Sequence, residues 1–484
     1  MHRIANRWLQ LTSPVIALAG ALGTTACQSR TGGEVGAAHA GLAARDARSA
    51  LAQAGFTVQE GRFEATDLSQ CCLAGHTCAG NNPASPYLQY YLPPAPGQTA
   101  PNPPNANAPS DIPSDGSLTS AWRLRGDEAL LFIGTTPPPS RYFSWDFYLF
   151  DRQNGQTRSL LWDSLGDSLN SGVVWTAGTP RGAAGDPSNR ASVVIMTADT
   201  GTAATVRAAL VASGYSDDLI NLYVIPSSQV TFGLESAADD FNVLFRVALF
   251  DDAAQGAAWV QHPGATLLRL TPLVPHPLQP LPTPSPRAHA TGVTEQALAP
   301  ALDRLQAAIE QRYAALGTKS VAVQLHNDPN NPPCLDSGKN CLADNRDADY
   351  FGSDAVLLPK RDDAFVIAFG VNHQAAGKTW YSNFVPYNPR KLMGIASVDS
   401  RSLSGSAADY LPGDPDAPLL YAWKLARACH QEPHCLEVPY ATCPGLPLIE
   451  PTVIEFRAYV DPLTLAAPAV SELLFDRVIR VGAP

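Results

Sequence analysis

The chain has 484 residues, enough for two to three domains or one large duplicated one. Hydrophobic residues make up 45% and charged residues 16%, with 43 prolines and 36 glycines, the composition of a globular protein with many ordered loops. The formal charge of −11 comes with no basic run, which excludes nucleic-acid binding as a main role, because that needs a cationic surface to displace counterions.

At the N-terminus, MHRIANRWLQLTSPVIALAGALGTTACQSR places Arg3 and Arg7 ahead of an apolar stretch that ends in small residues, the layout of an export signal. The segment TTAC at 24–27 resembles the lipobox of bacterial lipoproteins, in which small residues precede an invariant cysteine that is lipidated after cleavage; Thr24 departs from the usual aliphatic residue. The resemblance implies a signal peptide over 1–26 and a lipid on Cys27. Because Gln28 follows in place of aspartate, it also implies the outer membrane or cell surface of a bacterium. Ordinary cleavage near Ala26 is the alternative. No later window holds 18 apolar residues in a row, so the chain is expected to be anchored to a membrane and not to cross it.

After a tether over 27–40, GLAARDARSALAQAGF (41–56) reads as a helix entering a strand, and 94–114, rich in proline and asparagine, reads as a long surface loop. A hairpin follows, RGDEALLFIG (125–134) into RYFSWDFYLF (141–150), then a strand, helix, strand unit of SVVIMTAD, GTAATVRAALVASG and INLYVIP. LFRVALF (244–250) is another strand, and 271–292 is a proline-rich linker expected to be extended and stiff. Thr294 is placed to cap a helix in which Leu302, Leu305, Ile309 and Tyr313 recur at helical spacing and Gly317 supplies the stop.

The second half repeats the landmarks of the first in the same order. CLAGHTCAGNNPASPY (72–87) matches CLDSGKNCLADNRDADY (334–350), RGDEALLFIG matches RDDAFVIAFG (361–370), and LFRVALF matches EFRAYVD (455–461). After the shared glycine both halves carry two aromatics and a serine, Ser144 and Ser382. The expected fold class is therefore mixed α/β (α+β), a tandem duplication of two sheet-helix repeats, 41–270 and 293–484, about a pseudo-twofold axis. Nine cysteines, less Cys27, leave eight, suited to four disulfides in an oxidising compartment; no paired CxxC spacing points to zinc. Cys72–Cys78 and Cys334–Cys341 occupy equivalent tight loops. If Cys429 joins Cys435, Cys71 must reach Cys443 and tie the two repeats together.

Several residues carry possible chemistry. GVNHQAAGKTWYSN (370–383) contains Gly-Lys-Thr, but Gly370 and Gly377 are too widely spaced for a phosphate loop and a strand follows Thr379, so no nucleotide is expected. Ser382 as nucleophile, His373 as base and Asp363 as its orienting carboxylate would make a hydrolase triad; no GxSxG elbow is present, and Ser144 has no nearby histidine. Asp344, Asp347, Asp349 and Asp354 offer the oxygen ligands that calcium prefers, at a spacing unlike an EF-hand, and a solvated acidic loop is the plainer account. Calcium is the one cofactor these residues suggest. His430 and His434 are a weaker metal pair, interrupted by Pro433.

Arg246 and Arg457 lie in otherwise apolar strands, where charge must be paired or face a ligand, with Asp239, Asp240, Glu455 and Asp461 near in sequence. An axis could bring the two arginines together as an anion-binding fork. Lys378 and Asn372, together with His373, give the second half polar groups that the first lacks. The expected function is binding of a small molecule, peptide or glycan in a cleft between the repeats, with a serine-type hydrolase and a structural envelope protein as alternatives.

Overall fold

The computed structural model describes residues 46–67, 77–78, 80–105, 107–327, 338–441 and 443–483. Cys27 and the rest of the export signal lie outside them. The first half holds a helix α1 over 46–53, β1 (Phe56–Ala65), β2 (Tyr87–Tyr91), β3 (Ala129–Thr135), β4 (Ser140–Asn154), β5 (Thr157–Ser164), β6 (Leu169–Asn170), β7 (Ala191–Thr197), α2 (Thr200–Ala212), β8 (Ile220–Val224), β9 (Asp240–Phe250), α3 (Ala253–Gln261) and β10 (Ala265–Pro272). The second holds α4 (Ala299–Arg312), β11 (Thr318–Val321), β12 (Val323–Asn327), β13 (Ala348–Ser353), β14 (Phe365–Val371), β15 (Tyr381–Asn388), β16 (Met393–Gly394), β17 (Val398–Asp399), α5 (Ser400–Leu403), β18 (Leu420–Ala426), β19 (Cys435–Glu437), β20 (Val453–Tyr459) and β21 (Arg477–Val481). It is a mixed, sheet-rich fold with a few helices, and among the described residues no helix is long and apolar enough to cross a membrane.

The first-half strands form one curled sheet in the order β5-β4-β9-β2-β1-β10-β3-β7-β8, with β6 on β4. It curls through β1, whose first six residues pair with β10 and whose last four pair with β2. The second-half strands form two sheets, β11-β21-β14-β18-β19 and β12-β13-β20-β15-β16, with β17 on β15. Every pairing is antiparallel except β7 with β8 and β18 with β19.

β3 and β14 are apolar runs because both of their faces are covered. Leu302, Leu305 and Ile309 of α4 pack on Phe365, Ile367 and Phe369 of β14, while Val206 and Leu210 of α2 pack on Val193 and Ile195 of β7. The two halves share a core of their own, in which Tyr142 from the first meets Tyr381 and Tyr459 from the second; the last two rings stack at 4.4 Å.

The linker is extended and pinned to the body. Asp199, fully buried, accepts from Thr202 N at 2.7 Å to cap α2 and from Gln279 N of the linker at 2.6 Å. Asp199→Ala removes the cap and strands the buried Thr202 amide, so a loss of about 1–2 kcal/mol in unfolding free energy is expected from urea titration. The helix cap expected at Thr294 is displaced. Thr294 only accepts a 3.4 Å contact from Gln296 N ahead of a short 3-10 turn, and α4 starts at Ala299, where Pro300 presets the first helical turn.

Cys429 and Cys435 form a disulfide with Cα atoms 5.7 Å apart. Cys78, Cys341 and Cys443 are also disulfide-bonded. Cys71, Cys72 and Cys334 lie outside the described residues, and with them the pairings Cys72–Cys78, Cys334–Cys341 and Cys71–Cys443.

Candidate functional site

A cleft of about 1020 Å³ opens between the two halves of the chain. One wall is the segment between β6 and β7, the other the turn between β14 and β15. The first wall is rich in turn residues and braced by side chains: Asn221 accepts from Trp175 N at 2.8 Å and donates to Trp175 O at 2.9 Å, and Thr176 Oγ1 accepts from Gly178 N at 3.0 Å. Gly178 and Gly185 let this wall fold back on itself, since a Cβ on Gly178 would meet Asp186 O at 2.0 Å and one on Gly185 would meet Gly178 O at 2.0 Å.

The second wall is the stretch GVNHQAAGKTWYSN, and its histidine and lysine turn inward to hold it. His373 Nδ1 lies 2.7 Å from Glu295 Oε1, and its Nε2 lies 3.8 Å from Asp476 Oδ2. Burial alone would lower the imidazole, but the charge of Glu295 and the hydrogen bond with Asp476 win and push it up to about 10, so the ring is a cation at neutral pH. Lys378 Nζ donates to Thr291 Oγ1 at 2.9 Å, lies 2.8 Å from Asp461 Oδ2 and pairs with Glu472; these partners raise the lysine against the opposing effect of burial. Asn372 donates to Ser400 O at 2.9 Å, and its own carbonyl accepts from Ala376 N. Anchored this way, the turn presents Gln374, Gly377, Thr379 and Trp380 to the cleft. Trp380 lies over Gly172 of the opposite wall, where a Cβ would come within 2.7 Å of its ring.

The proposed triad is not assembled. Asp363 is exposed and bound by Arg361 at 2.8 Å, which holds its carboxyl below the usual range. Both ring nitrogens of His373 face carboxylates, and the Ser382 hydroxyl is buried with no hydrogen-bond partner. Ser382 is also not the positional twin of Ser144. Ser144 lies opposite Arg246 across the ladder, whereas Asn383 lies opposite Arg457, so Ser382 is one residue off and on the other face of its strand.

Each aspartate of the calcium reading has its own place. Asp344 accepts from Ser164 N at 2.8 Å, with burial raising its carboxyl to about 6. Asp347 accepts from Tyr142 Oη at 2.8 Å, Asn170 Nδ2 at 2.9 Å and Arg287 Nη2 at 3.0 Å. Asp349 is buried, while Asp354 is exposed and accepts from Gln324 at 3.2 Å. Among the described residues no three His, Cys, Asp or Glu side chains gather as a metal set. His430 and His434 also part, to Asp362 at 3.0 Å and Asp409 at 2.7 Å.

Arg246 and Arg457 are both buried, and the carboxylates near them in sequence bind elsewhere: Asp239 to Arg152, Asp240 to Arg158, Glu455 to His326 and Asp461 to Lys378. Arg246 instead pairs with Asp146 at 2.8 Å, whose carboxyl burial pushes up to about 7 against the pull of the arginine. Arg246 also donates to Ala343 O at 2.7 Å and lies over Tyr87 and Tyr148. Arg457 donates to Gly80 O at 3.3 Å and to Tyr387, and lies over Tyr350 and Tyr387. The two guanidiniums thus bind separate backbone carbonyls, each from the other half of the chain, and form no fork.

Sequence reading passed over Phe143, Trp175, Thr179 and Trp380, which line the cleft. The available signals were the length of the turn-rich segment between β6 and β7 and a tryptophan beside Gly-Lys-Thr.

No protein-family model matches the chain, and no curated protein matches it. Among solved structures, the crystal structure of the VPA0106 protein from Vibrio parahaemolyticus is similar, with 12% identity, 83% of this chain and 90% of that chain covered, and a TM-score of 0.38.

Proposed function

We propose that this is an exported lipoprotein, anchored through Cys27 at the outer membrane, whose two halves arose by internal duplication and bind a small molecule, peptide or glycan in the cleft between them. The observation that carries the binding role is the cleft itself, about 1020 Å³ and lined from both halves, at the upper end of the usual range for small-ligand sites. Its contents also favour binding over catalysis. Among the described residues, Arg141 and Asp186 are the only charged ones lining it, and no histidine, cysteine, lysine or glutamate does so.

The duplication rests on the matched landmarks and on parallels in pairing. The order β1-β10-β3-β7-β8 has the same sequence of antiparallel pairs and final parallel pair as β11-β21-β14-β18-β19. The crossings between halves are reciprocal as well: Cys341 N and Ala343 N donate to Leu161 O and Trp162 O, while Cys78 N and Gly80 N donate to Lys391 O and Leu392 O.

The binding role is tested by a melting screen of the full chain against small molecules, peptides and glycans. A cleft ligand at one hundred times its Kd stabilises the fold by about 2.7 kcal/mol, and Trp380→Ala and Gln374→Ala are each expected to shrink that shift. A ligand whose shift survives both substitutions binds elsewhere and overturns the cleft. Palmitate incorporation that persists in Cys27→Ser would sink the anchor.

A further inference from the structure

We infer that the cleft takes a neutral oligosaccharide, held by stacking on Trp175 and Trp380 and by hydroxyl and amide side chains, and that it binds the sugar without cleaving it; this rests on the cleft being the binding site. The charge of the lining is balanced. Arg141 lies 3.9 Å from Asp251, and Asp186 accepts from Ser188 N at 2.9 Å, so both are engaged at exposed positions and neither selects an ion.

The polar groups that remain are neutral, and two of their hydroxyls lack partners. Thr379 is only 4% exposed, and its hydroxyl has no hydrogen-bond partner; the Ser140 hydroxyl is buried and unpaired as well. Both residues line the cleft, so a ligand there meets two side chains with unmet hydrogen-bonding capacity. Gln374 Oε1 accepts from Ser400 Oγ at 2.5 Å, which leaves its amide nitrogen for a ligand. Arg181 lies over one face of Trp175 at 4.4 Å, and the half-buried indole lines the cleft.

A pyranose ring supplies the complement of such a lining, an apolar C–H face for each indole and a rim of hydroxyls that both donate and accept. Other classes fit less well. A lipid would leave the Thr379 and Ser140 hydroxyls unpaired. A peptide needs partners for its backbone, ordinarily a free strand edge, and β4 offers one only over the short stretch Ser140–Tyr142, since from Ser144 on it is flanked by β9 on one side and by β6 and β5 on the other. Glycosidic cleavage ordinarily uses two carboxyl groups across the scissile bond, and among the described residues the cleft lining has Asp186 alone.

The test is calorimetry and tryptophan emission on the full chain with cellohexaose, maltohexaose, xylohexaose and chitohexaose, and with an uncharged hexapeptide and lauric acid as rivals. At least one hexasaccharide is expected to bind and shift the emission, with its reducing ends unchanged in number after incubation. Binding should weaken about tenfold in Trp380→Ala, and about tenfold in Thr379→Val, which keeps the side-chain shape and removes only the hydroxyl. Should the hexapeptide or lauric acid bind with the same dependence on Trp380, the sugar assignment falls and the cleft stands. Sugar binding that both substitutions leave intact overturns the cleft as well. No heat and no emission change with any of the four sugars overturns the sugar assignment, and the melting screen then decides the cleft independently.

Discussion

Arg246→Ala is expected to cost about 3–5 kcal/mol of stability at pH 8.5, because it leaves the Asp146 carboxylate buried and uncompensated. Truncation also removes the donors to Tyr148 Oη and to Ala343 O, so the joint between the two halves loosens with the core. The double substitution Arg246→Met with Asp146→Val should recover most of the loss, since a buried ion pair is commonly matched by apolar side chains of similar volume.

The pH dependence has a definite sign. The Asp146 carboxyl, at about 7 in the fold and near 4 when unfolded, binds a proton in the folded state first, so its contribution to stability rises as pH falls from 7 towards 4. The deficit of Arg246→Ala should therefore narrow in that window, where both proteins hold Asp146 neutral. Guanidinium titrations at pH 8.5 and 5 check this through the midpoint at constant slope. A single substitution that costs less than about 1 kcal/mol at pH 8.5 would show that the pair is not what holds this strand.

His373→Gln is expected to have an effect of similar size, about 3–5 kcal/mol near pH 6, by leaving Glu295 and Asp476 buried without their shared cation. The imidazole is raised in the fold, from about 6.5 unfolded to about 10. Its stabilisation is thus fully present below pH 6.5 and lost as pH rises through 10, so the gap between the two proteins is widest near pH 6 and closes in alkali. Because this cluster sets the turn carrying Thr379 and Trp380, sugar affinity should follow the same pH profile in the native chain and not in the variant. A histidine ring that titrates by NMR near its ordinary value would refute both expectations.

These residues show where sequence reading succeeds. Phe365 to Val371 reads as a buried strand because its apolar run is local, and Leu302, Leu305 and Ile309 read as a helix face for the same reason. Cys429 and Cys435 pair across a six-residue separation, a reach that the chain itself limits. The arginines were legible as anomalies, charged residues in apolar strands, but their partners were not. The nearby candidates Asp239, Asp240, Glu455 and Asp461 all bind other basic side chains.

Local patterning, then, determined by itself which segments are strands and helices and which residues must be buried, since side-chain period and short-range chemistry act over a few residues. Tertiary structure alone decided what those residues meet. Asp146 reaches Arg246 across 100 residues, and Asn383 reaches Asn82 across 301, because strand register and the crossing of loops between halves bring them together. The same register turned His373 and Lys378 inward to pair with carboxylates and left Thr379 and Trp380 facing the cleft. A buried charge must find a counter-charge wherever the fold supplies one, and no local pattern records where that is.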